Sequence, residues 1–238
     1  MKILVYEDKV DLAEAAARDF ARRAGEAIDE RGRFAVALAG GSTPKATYET
    51  LARDYAGEVD WGRVHVFFGD ERAVPPSHED SNYRMAKDAL LDHVSVGSVH
   101  RMRGELPPEE AAASYEEELR SFFGEVTPRF DLILLGIGGD GHTASLFPGT
   151  AALEVADRLT VANPVLKLET TRITLTAPAI NAARAVVFLV AGEDKAEALR
   201  EILEGDADPR PYPAKLVRPD GDLAWMVDRT AARLLSRV

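Results

Sequence analysis

The sequence contains no cysteine, which excludes disulfides and thiolate metal sites. It contains no apolar run of the roughly 18–20 residues needed to cross a bilayer. Clustered positive charge is also missing: Arg22-Arg23 and Arg31/Arg33 sit among carboxylates, and the 238-residue chain carries a net charge of −11. Nucleic acids and anionic membrane surfaces recruit basic patches, so neither is expected as a partner. Met1-Lys2-Ile3-Leu4-Val5 is too short for a signal h-region and leads straight to Glu7 and Asp8, so a cytoplasmic location is expected. No linker, fixed-period repeat or low-complexity stretch breaks the chain, and the expectation is one domain over residues 1–238, as a monomer or small homo-oligomer.

What is present is an alternation of short apolar runs with longer amphipathic ones. Strands are expected at Ile3–Tyr6, Phe34–Ala39, Val64–Phe68, Leu132–Leu135, Leu159–Ala162, Ile173–Thr176, Val186–Val190 and Leu223–Val227. A helix should open at Asp11 with Glu14 completing a capping box and close at Gly32. A second should begin with Thr43 as N-cap and Pro44 in the first turn. Further helices are expected at Ser81–Leu91, Pro107–Phe123, Asp194–Leu203 and Arg229–Leu235. Continuous apolar strands separated by helices imply crossover connections. The predicted fold is therefore a single α/β domain, a mostly parallel twisted sheet with helices on both faces.

Ligands in open α/β sheets bind beyond the carboxyl ends of the strands. Three strands here end in polar, glycine-rich tips, which share one crevice if the strands are neighbours. The first tip, Gly40-Gly41-Ser42-Thr43-Pro44-Lys45, lets a ligand approach the backbone and offers it a helix N-terminus, which favours an anion. It lacks the Gly-Lys-Ser/Thr ending of a Walker A loop; read blandly, it is a tight turn with a Thr cap. The second, Gly69-Asp70-Glu71-Arg72, places three charges directly after an apolar strand. It is either a solvated ion pair of little energetic worth or a site with Asp70 and Arg72 facing the crevice. Asn82, in Ser81-Asn82-Tyr83-Arg84, either helps cap a helix or bonds a ligand hydroxyl.

The third tip, Gly136 to Gly141, matches G-x-G-x-x-G, and Asp157 lies near the distance of a ribose-binding acid. A dinucleotide site needs a long helix after the third glycine, yet Pro148-Gly149 breaks the chain within about two turns; the dinucleotide reading is rejected. What remains is Asp140-Gly141-His142 at a strand end. An imidazole there, with little shielding from side chains, can accept a proton near neutral pH, and Asp140 can orient it or hold a substrate hydroxyl. The bland alternative is a hydrogen-bonded structural histidine. No other histidine lies at metal spacing, H-E-x-x-H is missing, and without G-x-S-x-G no serine nucleophile is evident. Neither metal nor cofactor is expected. Arg172 and Lys195 gain interest only if an anion sits nearby.

Taken in order, Gly40-Gly41-Ser42-Thr43-Pro44, Gly69-Asp70-Glu71-Arg72, Ser81-Asn82-Tyr83, Gly138-Gly139-Asp140-Gly141-His142-Thr143-Ala144-Ser145-Leu146-Phe147-Pro148 and Gly192-Glu193-Asp194-Lys195 resemble the 6-phosphogluconolactonases, from about Ile3 to Met226. The wider superfamily includes glucosamine-6-phosphate deaminases, which carry a Glu just before the proline that follows Asp-Gly-His. Here Phe147 stands in that place and cannot transfer a proton, which favours lactone hydrolysis over deamination. The resemblance implies a sugar-phosphate substrate. Its phosphate would lie near Gly41, Ser42 and the helix start with Arg172 and Lys195, and Arg72 would face its anionic or carbonyl end. His142 would act as general base, with Asp140 orienting it or binding a hydroxyl. Gly40, Asp70 and Asn82 would complete the binding site. The rival functions are an amino-sugar-phosphate deaminase or isomerase and a non-catalytic sugar-phosphate-binding module.

Overall fold

The computed structural model describes residues 1–124, 128–206 and 208–236. In chain order the elements are β1 (Lys2–Tyr6), α1 (Lys9–Arg31), β2 (Phe34–Leu38), α2 (Ser42–Asp54), β3 (Val64–Phe68), β4 (Asp70–Arg72), α3 (Asn82–Ala86), β5 (Ser98–Val99), α4 (Pro108–Phe123), β6 (Leu132–Leu135), β7 (Thr160–Val165), β8 (Thr170–Leu175), α5 (Ala177–Asn181), β9 (Ala185–Val190), α6 (Ala196–Glu204), β10 (Asp222–Asp228) and α7 (Arg229–Ala232). Seven strands form one sheet in the order β1-β10-β9-β6-β2-β3-β5. Every pair in it is parallel.

The two-residue period of the strands divides their side chains between two cores. Phe34, Val36 and Leu38 of β2 face Leu12, Phe20 and Ala24 of α1 and Tyr48 and Leu51 of α2. Ala35 and Ala37 face the opposite core, with Tyr115 and Leu119 of α4, Ile180 of α5 and Leu199 of α6. Burial on both faces is why these strands read as unbroken apolar runs. Chain connections leave β2 toward β3 and leave β6 toward β9, so the β2/β6 pair is the point where the winding reverses, the place where open α/β sheets form a crevice. Two buried tyrosines finish the strand ends there. The Tyr48 hydroxyl accepts from Ala39 N and donates to Ala39 O, both at 2.9 Å. The Tyr115 hydroxyl does the same for Phe68 N and O, at 2.9 and 3.1 Å.

The structure differs from the expected elements in several places. Asp70–Arg72 is a strand and not a loop. Together with β8 and β7 it forms a separate three-stranded antiparallel sheet, ordered β4-β8-β7. The runs at Leu159 and Ile173 are thus strands as expected but do not belong to the parallel sheet; a strand's apolar pattern shows that one face is buried, not which sheet buries it. Arg172 lies within β8 and does not precede it.

Helix α1 starts earlier than Asp11, because the Asp8 side chain accepts from Val10 N at 2.7 Å and Asp11 N at 3.0 Å; it ends at Gly32 in the left-handed conformation. Helix α2 starts at Ser42 with Gly41 as N-cap, so Thr43 lies inside it. Ser81 caps α3, its hydroxyl accepting from Arg84 N at 3.1 Å, and the chain continues as a π-turn over Lys87–Leu91. Glu193–Lys195 is a short 3-10 turn and α6 begins only at Ala196. Helix α7 ends at Ala232. The two-residue β5 and the five-residue α5 carry no sequence signal long enough to register. Among the described residues no helix is long and apolar enough to cross a membrane.

Candidate active site

Strands β3, β2 and β6 are adjacent, so their three tips open into one cleft of about 460 Å³. Gly40, Gly41, Asp70, Arg72, Asn82, Asp140, His142, Arg172 and Lys195 all line it. Ser42 does not; it is exposed at the first turn of α2. The cleft also receives Ser145, Phe147, Lys167 and Leu168. Its charged lining is four cations against two carboxylates, a local reversal of the acidic whole that suits an anionic ligand.

The start of α2 forms one wall. Gly41 provides no side chain to satisfy the first N–H groups of the helix, which leaves donors and the positive end of the helix dipole toward the cleft. Gly40 is required by close approach: a Cβ there would lie 1.9 Å from Asn82 Oδ1.

Asn82 is only 2% exposed. Its Nδ2 donates to Asp70 O at 2.9 Å and Asp70 Oδ1 at 3.1 Å, while its Oδ1 is buried without a partner among the described residues. The helix cap is thus Ser81, and Asn82 lines the cleft wall with its Oδ1 buried against Gly40. Beneath it, the Glu71 carboxylate accepts from the backbone N–H of Arg72, Asn82 and Tyr83 at 2.8, 2.7 and 2.9 Å and from the Ser81 hydroxyl at 3.0 Å. Burial raises the Glu71 pKa above the usual carboxylate value, and these four donors pull the other way. Asp70 is tied from across the cleft by the Ser145 hydroxyl at 2.6 Å.

Arg72 and Arg172 are register partners across β4 and β8. Like charges directly opposite on antiparallel strands repel. Arg72 donates to the Asp80 carbonyl, but the Nε atoms of both arginines are buried and unpartnered among the described residues. Burial and the neighbouring Arg72 charge hold the Arg172 pKa below its ordinary value. Two neighbouring guanidinium groups, each with an unpartnered Nε, are an arrangement that suits an anion. Lys195, on the turn after β9, adds a third cation to the lining, with Asp194 its carboxylate partner at 2.8 Å.

His142 sits in a tight loop in which Gly138 N donates to His142 O and Gly141 N to Gly138 O, both at 2.9 Å. A Cβ on Gly138 would fall 2.1 Å from His142 Nδ1. Asp140 Oδ1 pairs with His142 Nδ1 at 2.6 Å; a carboxylate only accepts, so Nδ1 carries the proton and the Nε2 lone pair is free. The ring stacks on Phe147 at 4.1 Å. Burial lowers the His142 pKa to about 4; Asp70 opposes this, and Lys195, Arg172 and Arg72 reinforce it. The imidazole is therefore neutral at pH 7, the form that can take a proton. Ala144, next in the hairpin, has φ 46°, a conformation uncommon outside glycine.

After Gly141 the chain forms a hairpin in which Thr143 bridges Leu146, and no helix opens before the 3-10 turn at Ala151–Glu154. The G-x-G-x-x-G match thus lacks the helix that a dinucleotide site requires. Among the described residues no group of three or more His, Asp or Glu is placed to hold a metal ion. Sequence reasoning missed Lys167, whose ammonium meets Asp140 Oδ2. A lysine between two leucines in a turn carries no sequence signal of that partnership.

The model of the family "Glucosamine-6-phosphate isomerases/6-phosphogluconolactonase" matches residues 7–225. A 6-phosphogluconolactonase of Synechocystis sp. is 49% identical, over 97% of each chain. That of Homo sapiens is 40% identical, over 98% of this chain and 93% of the relative. The solved 6-phosphogluconolactonase of Trypanosoma cruzi superposes with a TM-score of 0.88 at 29% identity, covering 99% of this chain and 97% of that one. With its fold and its sequence in agreement, the chain belongs to the glucosamine-6-phosphate isomerase/6-phosphogluconolactonase family.

Proposed function

We propose that the chain hydrolyses 6-phospho-D-glucono-1,5-lactone to 6-phosphogluconate, with His142 as general base and no metal or cofactor. One observation carries this reading: a neutral His142, with Nδ1 engaged by Asp140 and Nε2 free, shares a cleft with Arg72, Arg172 and Lys195. The substrate phosphate lies against Arg172, Lys195 and the uncapped start of α2. His142 Nε2 takes a proton from water as the water oxygen adds to C1. Negative charge then forms on the carbonyl oxygen, where Arg72 or a backbone N–H stabilises it. As the ester C–O bond breaks, the imidazolium returns the proton to the ring oxygen. A positioned base contributes ~10²–10⁴-fold, adequate for an activated ester. Asn82 holds Asp70 at the cleft wall through its Nδ2. Phe147 puts an apolar ring against the imidazole, leaving that position without a proton-transfer group for ring opening and amine loss.

The test is an assay of purified protein on freshly generated lactone, read against the spontaneous rate, beside an ammonia assay on glucosamine 6-phosphate. Acceleration of the first with no ammonia from the second is expected. No acceleration, or ammonia release, overturns the reading.

A further inference from the structure

The hairpin between β7 and β8 reaches the cleft with its turn, Leu166 to Glu169. Leu166 at the tip is 87% exposed, and Glu169 holds a positive φ of 49°. From this turn Lys167 extends to Asp140, where its ammonium meets Oδ2 while Oδ1 holds His142 Nδ1. The same ammonium stands 5.0 Å from the Phe147 ring centroid, and Phe147 stacks on His142. Lys167, Asp140, His142 and Phe147 thus close a ring of four contacts.

Asp140 Oδ1 accepts from His142 N at 3.2 Å as well as pairing with His142 Nδ1; its Oδ2 is held by Lys167. With Lys167 on one oxygen and His142 on the other, its carboxylate is held in one orientation. Asp140 in that orientation accepts the Nδ1 proton and so leaves the Nε2 lone pair toward the cleft. We propose that Lys167 is a positioning residue, which acts on the His142 tautomer through Asp140 and reaches across from an element 27 residues away in sequence.

The kinetic part of this inference rests on the hydrolytic reading; the tautomer part does not. Lys167→Met keeps the stem and removes the charge. Removing outer partners of an oriented histidine costs roughly 10–100-fold, so kcat should fall about tenfold or more with KM little changed. The acid limb of kcat should move to higher pH, because Lys167 no longer offsets the attraction of Asp140 for an imidazolium. Lys167→Arg, which keeps the charge, should restore most of kcat. In an Asp140→Asn background, Lys167→Met should add no further loss, since the two act as one unit.

In the substrate-free protein, 15N NMR of His142 should show a proton on Nδ1, and a mixture of tautomers after Lys167→Met. Unchanged kcat and pH profile, a rise in KM alone, or losses that multiply with those of Asp140→Asn would overturn the proposal. So would an unaltered tautomer spectrum. If the wild-type protein fails to hydrolyse the lactone, the functional reading falls and the NMR experiment still decides the role of Lys167.

Discussion

Gly138→Ala isolates the placement of the proposed base from its chemistry. Gly138 does not occupy a left-handed conformation, so alanine fits the backbone without strain. The new Cβ, however, would lie 2.1 Å from His142 Nδ1, 2.2 Å from Cε1 and 2.7 Å from Asp140 Oδ1. Ordinary contact begins near 3.4 Å. The imidazole must therefore retreat by about 1.3 Å, and Phe147 blocks retreat on its stacked side. A misplacement of about 1 Å costs on the order of 10²-fold, or about 2.7 kcal/mol in the barrier. The variant should lose about that much kcat on freshly generated lactone, while calorimetry shows 6-phosphogluconate binding within a few-fold of wild type. The three atoms nearest the new methyl group belong to His142 and Asp140, none to Arg172, Lys195 or the start of α2. Wild-type kcat in Gly138→Ala would refute the reasoning, because no catalytic imidazole could stay in place. Equal loss of binding and rate would point to local collapse.

Other outcomes follow from the same geometry. His142 accepts a proton only when neutral, and its pKa is lowered to about 4, so kcat/KM should hold flat from neutrality to about pH 5 and then fall tenfold per unit below about 4. A limb near 6.5 would remove either the depression or the base. Lys195→Ala takes away one of the charges that lower this pKa and should move the limb upward as well as raise KM more than it lowers kcat. Arg172→Met should weaken phosphate binding, yet relieve repulsion from Arg72 and stabilise the free protein by up to about 1 kcal/mol; a calorimetric melt with and without inorganic phosphate reads both effects. Tyr48→Phe leaves the N–H and C=O of Ala39 unpaired and should lower stability by about 1–3 kcal/mol in urea titrations.

Much of the frame was legible because its cues are local. Apolar runs buried on both faces marked the parallel strands, and Gly32 marked a helix end. The glycine tips after β2 and β6 marked the crevice that their neighbouring positions create. Where the cues failed, the competing interaction was close by or far away. Asp8 caps α1 ahead of Asp11, and Gly41 caps α2 ahead of Thr43. Charged Asp70–Arg72 gave no sign of being a strand, since its pairing partner β8 lies about 100 residues on.

The sequence by itself determined the strand and helix alternation, a glycine-rich helix start after β2, an Asp-Gly-His at a strand end and the Phe at position 147. These depend on residues adjacent in the chain, whose conformational preferences and periodicity survive without any partner. Only the tertiary structure decided that Arg72 faces Arg172, that Asn82 is buried against Gly40, and that Lys167 closes on Asp140. Each of these is a contact between segments whose separation in sequence carries no trace of their nearness, and it exists only once the second sheet has folded across the ends of the first.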